Sequence, residues 1–296
     1  MKNKRAIAAY TVMLIPGLVL LLLFSIIPMS GIVIAFEKFV PAKGIWGSKW
    51  VGLQNFEYMF SLPDSWDIFS NTIIIAVSKM VCQLVVPVLV ALMLGEIHTT
   101  WFKRTVQTVV YLPHFLSWVI LGGIISNMFS LDGIVNRVIV NLGAQPVMFL
   151  ASNFWFRKLV VFTDTWKEFG FGTVIYMAAM TAIDDTLYEA AEIDGATRMK
   201  RIWYVTLPCI APTIVLMATL SLGNVLNAGF EQIFTLYNPL VYKTGDILDT
   251  YVYRMGIENA QYGLATAVGL LKSVVSMVLI VLSYYLAGRY ANYSIF

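Results

Sequence analysis

The stretch YEAAEIDGATRMKRIWYVTLP, Tyr188 to Pro208, is an acid-and-alanine segment broken by a glycine and set between two strongly apolar blocks. Thr186, followed three residues later by Glu189, makes a capping-box pattern that predicts a helix start. Ala190, Ala191 and Ile193 give that helix a small, weakly apolar surface. Gly195 interrupts it, and the polarity turns basic at Arg198, Lys200 and Arg201 before Leu207-Pro208 opens the next apolar run. The pattern predicts two short helical pieces bent at a glycine and held outside the apolar blocks. Composition alone leaves two readings open: an ordinary interfacial loop with some helix in it, or a surface of small side chains built for close docking.

The surrounding chain has 296 residues, of which 59% are hydrophobic and 12% charged. Soluble domains carry about 25% charged residues, so this composition belongs to a membrane protein. A dispersed net charge of +3 offers no electrostatic footprint for nucleic acid. Cys82 and Cys209 each lie in an apolar run, where a thiol acts as a small hydrophobe; they suggest neither a disulfide framework nor a metal site. The start MKNKR precedes an apolar run much longer than the roughly 7–15 residues of a signal peptide, with no small-x-small site closing it. The expectation is a retained first span.

A helical span needs roughly 17–25 mainly apolar residues. Windows at about 9–36, 70–94, 105–129, 158–182, 203–226 and 264–288 satisfy this, so the fold expected is an all-α integral membrane protein of six spans in one domain, 1–296. Pro16, Pro28, Pro87, Pro113, Pro208 and Pro212 fall in or at the ends of these windows, as membrane helices tolerate when neighbours satisfy the freed carbonyls. With the N-terminus inside, the inner pieces carry nine Lys and Arg in 46 positions and the outer pieces seven in 98. That asymmetry favours N-in and C-in and puts the 184–202 loop in the cytoplasm. In the first outer loop, WVGLQNFEYMF places Leu53, Phe56 and Phe60 at helical spacing, either an interfacial amphipathic helix or a partner-binding one.

Ionisable residues at membrane depth mark pathways or paired structural sites. Asp164, Lys167 and Glu168 stand at i, i+3 and i+4 in the fourth window, which puts them on one helical face. That face either forms ion pairs, Lys167 with Glu168 or Asp164 and Lys79 as a further partner, or lines a water-filled passage. His114 beside Pro113 suits a neutral imidazole capping a carbonyl freed by the kink. Asn224 and Asn227 suit interhelical hydrogen bonds, Lys272 suits an inter-subunit contact, and Gly263, Ala267, Ala265 and Gly269 form small-xxx-small pairs.

Glu189-Ala190-Ala191, Asp194-Gly195-Ala196, the aliphatic Val205 and Leu207-Pro208 together resemble the EAA loop of permeases of binding-protein-dependent (type I) ABC importers. Val205 stands where isoleucine is usual in that motif. FKRTVQTVVYLPHFLSW at 102–118, DTWKEFGFGTVIYMAAM at 164–180 and QYGLATAVGLLKS at 261–273 look like the LplB-like oligosaccharide and polysaccharide branch, which includes the alginate importer's subunits. The resemblance implies a multi-pass permease in the inner membrane of a prokaryote, with the 184–202 loop as coupling element. It also implies a second homologous permease subunit, two ATP-binding subunits that hold ATP and magnesium, and an extracytoplasmic solute-binding protein. No cofactor is expected on this chain. No G-x-x-x-x-G-K-[ST] is present, and the Lys-Ser of Gly269-Leu-Leu-Lys-Ser lacks the preceding glycine, so an ATPase must be a separate polypeptide.

Carried over without gaps, the sugar-contacting positions of the related maltose permease fall on Asp164, Lys167, Glu168 and Phe171 in the fourth span. In the fifth they fall on Ser221, Asn224, Val225 and Ala228, and in the third on His114 and Trp118. The resemblance therefore implies an oligosaccharide-facing wall there, with Trp166 or Phe171 offering an aromatic face to a sugar ring. Two readings from other classes compete. An ion-coupled secondary sugar transporter leaves the EAA loop unexplained and finds no internal repeat. A membrane-embedded sugar transferase finds only His98 and His114 as imidazoles.

Overall fold

The computed structural model describes residues 4–97 and 99–290; Lys2 and His98 lie outside them. In chain order the α-helices are α1 (Lys4–Leu21), α2 (Gly44–Gly47), α3 (Gln54–Ser61), α4 (Ser65–Gly95), α5 (Thr100–Tyr111), α6 (Trp118–Met128), α7 (Ile134–Asn141) and α8 (Asn153–Thr181). They continue as α9 (Asp185–Ile193), α10 (Arg198–Arg201), α11 (Leu207–Leu222), α12 (Phe230–Leu236), α13 (Tyr242–Gly245), α14 (Leu248–Tyr253) and α15 (Tyr262–Tyr290). Among the described residues two compact units result, one within 1–63 and 251–271 and the other within 64–250 and 272–296.

In the first unit α1 runs on through a π turn (Leu22–Ile26) into a 3-10 stretch (Ile27–Phe36). Only 6% of its apolar window is buried, so this helix presents hydrophobic side chains all round, as a lipid-facing span does. A two-residue antiparallel ribbon, β1 (Glu37–Lys38) with β2 (Lys49–Trp50), follows in the register Glu37 to Trp50. The Asn55 amide closes this region by donating to the carbonyls of Ala35 at 2.8 Å and Glu37 at 3.0 Å. The amphipathic segment is α3: Met59 is buried and Phe56 packs on Phe36, whereas Leu53 and Phe60 are exposed.

In the second unit α4 and α8 pack against each other along their length. One apolar cluster joins Ile75 and Ala76 to Leu121, Ile125, Phe156, Val160, Ile233 and Ile247. Another, further along the same two helices, joins Val88, Ala91 and Leu92 to Tyr176 and Ile210. Asn71 donates to the carbonyls of Lys243 and Asp246 and accepts from Arg157 Nη2 at 2.6 Å, so its buried carboxamide is paired at both ends.

Among the described residues, four helical stretches are long and apolar enough to cross a membrane: Tyr10–Phe36, Ser65–Gly95, Arg198–Leu222 and Tyr262–Leu282. A fifth span is available if Thr100–Phe115 and Trp118–Met128 count as one, bent by 104°. The bend falls where Pro113 sits in a 3-10 turn and Ser117 caps α6, its hydroxyl accepting from Ile120 N. The 29-residue α8 coincides with the fourth window, but its charges at Arg157, Lys158, Asp164, Lys167 and Glu168 keep it below that apolarity. The fifth window, drawn to residue 226, is helical only to Leu222; Gly223 to Leu226 form turns.

Candidate functional site

The bent loop is built by local hydrogen bonds. Asp184, extended in backbone, caps α9 by accepting from Thr186 N at 2.9 Å, so the cap lies two residues before the expected Thr186. A carboxylate ahead of the helix satisfies an orphan donor and meets the positive end of the helix dipole; Thr186 sits inside the first turn and is not free to do so. That bond holds the Asp184 carboxyl below the ordinary aspartate range. The other end of α9 closes in a Schellman arrangement: Ala196 N donates to Ala191 O at 2.9 Å and Gly195 N to Glu192 O at 3.0 Å. Gly195 has φ +71°, which a side chain would strain, with open space around it. Glu189, Ala190, Asp194 and Pro208 are exposed, and Ala191, Ala196, Val205 and Leu207 half-buried.

A polar cavity of about 330 Å³ lies among α4, α8 and the end of α11. It is lined by Ala76, Lys79, Met80 and Gln83, by Asp164 and Glu168, and by Ser221, Asn224, Val225, Asn227 and Gly229. Of the ten candidate wall residues, Asp164, Glu168, Ser221, Asn224 and Val225 border it directly. Lys79 and Asp164, both buried, pair at 3.1 Å. The Lys79 ammonium also donates to the Ala228 carbonyl at 2.7 Å and to Gln232 Oε1. Ala228 is thus fully buried, and its backbone rather than its side chain serves the wall. Gly229, at φ +90°, passes so close that a Cβ there would meet Lys79 Nζ at 2.7 Å. Gln83 Nε2 donates to Asp164 Oδ2 at 2.7 Å.

The remaining wall candidates gather behind Glu168. Lys167 Nζ donates to Glu168 Oε1 at 2.9 Å and to the His114 carbonyl at 2.8 Å. The His114 carbonyl is therefore capped by Lys167. His114 Nδ1 lies 2.7 Å from Glu168 Oε2, and its ring stacks on Phe171 at 4.2 Å and 6°. Trp118 stands near, its ring centroid 5.7 Å from Lys167 Nζ. Trp166 goes elsewhere: with Ser78, Cys82, Val86, Phe162 and Phe169 it lines an apolar groove of about 600 Å³. Successive residues of a helix point in different directions, and Trp166 lies off the face shared by Asp164, Lys167 and Glu168. Lys272 pairs within the chain, with Asp249 Oδ1 at 2.6 Å. Lys79 and Gln83, four residues apart in the mainly apolar run 73–94 of α4, are the readable signal for the α4 side of the wall.

Long apolar helices, a wall of paired charges and amides within them, and an exposed bent loop define a multi-pass membrane protein of the transport class. The chain belongs to the family of the binding-protein-dependent transport system inner membrane component, which residues 83–292 match. It is 41% identical to protein LplB of Bacillus subtilis (strain 168), over 96% of this chain and 90% of that one. It is 40% identical to the polygalacturonan/rhamnogalacturonan transport system permease protein YteP of the same organism, over 96% and 89%. Two crystal structures of a bacterial alginate ABC transporter resemble it at 36% identity. One, of the transporter that imports the acidic polysaccharide alginate, gives a TM-score of 0.90 over 97% of each chain. The other, in complex with a periplasmic protein bound to an alginate pentasaccharide, gives 0.88 over 97% of this chain and 96% of that one.

Proposed function

We propose that this chain is the permease subunit of an ATP-driven importer for an oligosaccharide or polysaccharide fragment, which an extracytoplasmic binding protein delivers. The cavity carries this reading. Sugar hydroxyls both donate and accept, and the wall offers the carboxamides of Gln83, Asn224 and Asn227, the Ser221 hydroxyl and carboxylates already neutralised by Lys79 and Lys167. Permease relatives of polygalacturonan and alginate transport support the substrate class. The proposed arrangement has six spans, N-in and C-in, in the inner membrane of a prokaryote, and a second homologous permease completes the passage. Two separate ATP-binding subunits hold ATP and magnesium, and one docks on residues 184–202 through Glu189, Ala190, Ala191, Asp194, Gly195 and Ala196, with Leu207-Pro208 leading into the bilayer. Closure of the ATPases rocks the helices between inward- and outward-facing states, with no covalent chemistry on this chain.

The test is to co-purify the chain with its neighbouring gene products and score a panel of neutral and acidic oligosaccharides. ATP hydrolysis stimulated only by binding protein loaded with one of these sugars is the expected result. Uptake that persists after every candidate ATPase is removed would replace this reading with an ion-coupled transporter.

A further inference from the structure

The loop has two unlike faces. Glu189, Ala190 and Ile193 of α9 face outward, Ile193 being 87% exposed, while Tyr188 and Ala191, three apart, are turned inward and half-buried. Tyr188 Oη lies 3.0 Å from Thr206 Oγ1. Thr206 is buried, closes the π turn Ile202–Thr206, and immediately precedes Leu207-Pro208 and the rest of α11. A second polar link between the two arms is an exposed ion pair, Arg201 with Glu192 at 3.4 Å, of a kind worth little in water.

The surroundings make the Tyr188–Thr206 bond the discrete link. Both residues border a cavity of about 250 Å³ into which the ends of α4, α5 and α8 also project, through Glu96, Lys103 and Thr181 among others. The two arms are held there by the hydroxyl pair and by Ile183 and Ile202, which pack on the apolar cluster of α4 and α8. Of these the hydroxyl pair is the direct polar link between α9 and the π turn, a wider helical turn typical of functional sites. Beyond that turn α11 is a continuous helix to Leu222, and its far end places Ser221 and the turn at Asn224 on the wall of the polar cavity.

We infer that Tyr188 is the positioning residue that transmits movement of the 184–202 loop to α11, by holding the Thr206 hydroxyl at the root of that helix. It acts through Thr206 and touches neither nucleotide nor sugar. The inference rests on the reading of the loop as the ATPase-docking element and adds which side chain carries the motion onward. Tyr188→Phe and Thr206→Val each remove one partner and keep the volume nearly constant, so α9 and α11 keep their packing. The two changes should be non-additive, since either one breaks the same bond.

The experiment uses the whole reconstituted complex with its partner permease, ATPases and binding protein. The readouts are ATPase co-purification, ATP hydrolysis and sugar imported per ATP. In Tyr188→Phe, Thr206→Val and the double variant, the ATPase should stay bound and active while sugar imported per ATP falls roughly fivefold, the worth of one neutral hydrogen bond. Thr206→Ser, which keeps the hydroxyl, should restore the wild-type ratio. A wild-type ratio in both single variants would overturn the inference, and so would additive losses or a parallel fall of hydrolysis and import. Glu189→Lys separates the two layers. If it releases the ATPase while Tyr188→Phe couples normally, the docking reading stands and this inference falls. If it leaves the ATPase bound and coupled, the docking reading falls and this inference falls with it.

Discussion

Lys79 on α4 and Asp164 on α8 meet at 3.1 Å with both side chains buried, and the same ammonium holds the Ala228 carbonyl at 2.7 Å. One cation thereby ties two long helices to the turn that follows α11. Removing one partner of a buried pair strands the other, at a cost of about 3–5 kcal/mol. Lys79→Ala should therefore lower the melting temperature of the detergent-solubilised complex, and so should Asp164→Asn, which keeps one carbonyl acceptor for Lys79 but loses the charge and turns an amide donor toward Gln83. The paired change Lys79→Met with Asp164→Leu should recover part of the loss.

Lys167 and Asn224 separate the structural from the sugar-facing part of the wall. Lys167 is buried and spends its protons on Glu168 and the His114 carbonyl at the break after α5, so Lys167→Ala should show as lost thermal stability and yield. Asn224 is exposed into the cavity, and Asn224→Ala should shift the sugar concentration giving half-maximal ATPase stimulation while leaving yield unchanged. Trp166→Leu, on the apolar groove, should leave that concentration where it is.

Gly195 combines φ +71° with open surroundings, so a substitution there acts on the backbone alone. Gly195→Ala should weaken the Schellman turn by roughly 1–2 kcal/mol and lower sugar imported per ATP. Gly195→Asn, whose side chain tolerates the left-handed region, should lose less than Gly195→Ala or Gly195→Val. Losses that grow with side-chain volume, smallest for Gly195→Ala, would show that bulk, and not φ, is what the site rejects.

Asp184 gives the loop a defined pH response. Its carboxyl is held below the ordinary aspartate range by the Thr186 amide, so the cap is fully formed above the unfolded value of about 3.9 and is lost only as pH falls through the depressed folded value. At neutral pH, Asp184→Ala should speed hydrogen exchange at the first amides of α9 relative to the unaltered protein. That difference, corrected for intrinsic exchange, should hold constant over neutral and mildly acidic pH and close at acid pH.

Much of this was readable residue by residue. The spacing of Asp164, Lys167 and Glu168 put them on one face of α8, and the glycine break predicted the bend of the loop. The capping residue was misplaced because Thr186 and Asp184 are both good cap formers, and the backbone geometry of residue 184 decided between them. The end of α11 was misplaced because Leu222 and Leu226 sustain the apolar pattern past the point where the helix stops. The turn is set by Gly229 beneath Lys79 and by the Lys79 bond to Ala228, contacts about 150 residues apart in sequence.

By itself the sequence determined the membrane character, the helical class, the bent loop and the family motif, because hydropathy, helical period and glycine placement act over a few neighbouring residues. Tertiary structure alone decided which charges neutralise each other, that Trp166 leaves the wall, and that Tyr188 reaches Thr206. Those outcomes depend on which faces of distant helices meet, and an ion pair or hydrogen bond forms only when packing brings its partners within about 3 Å.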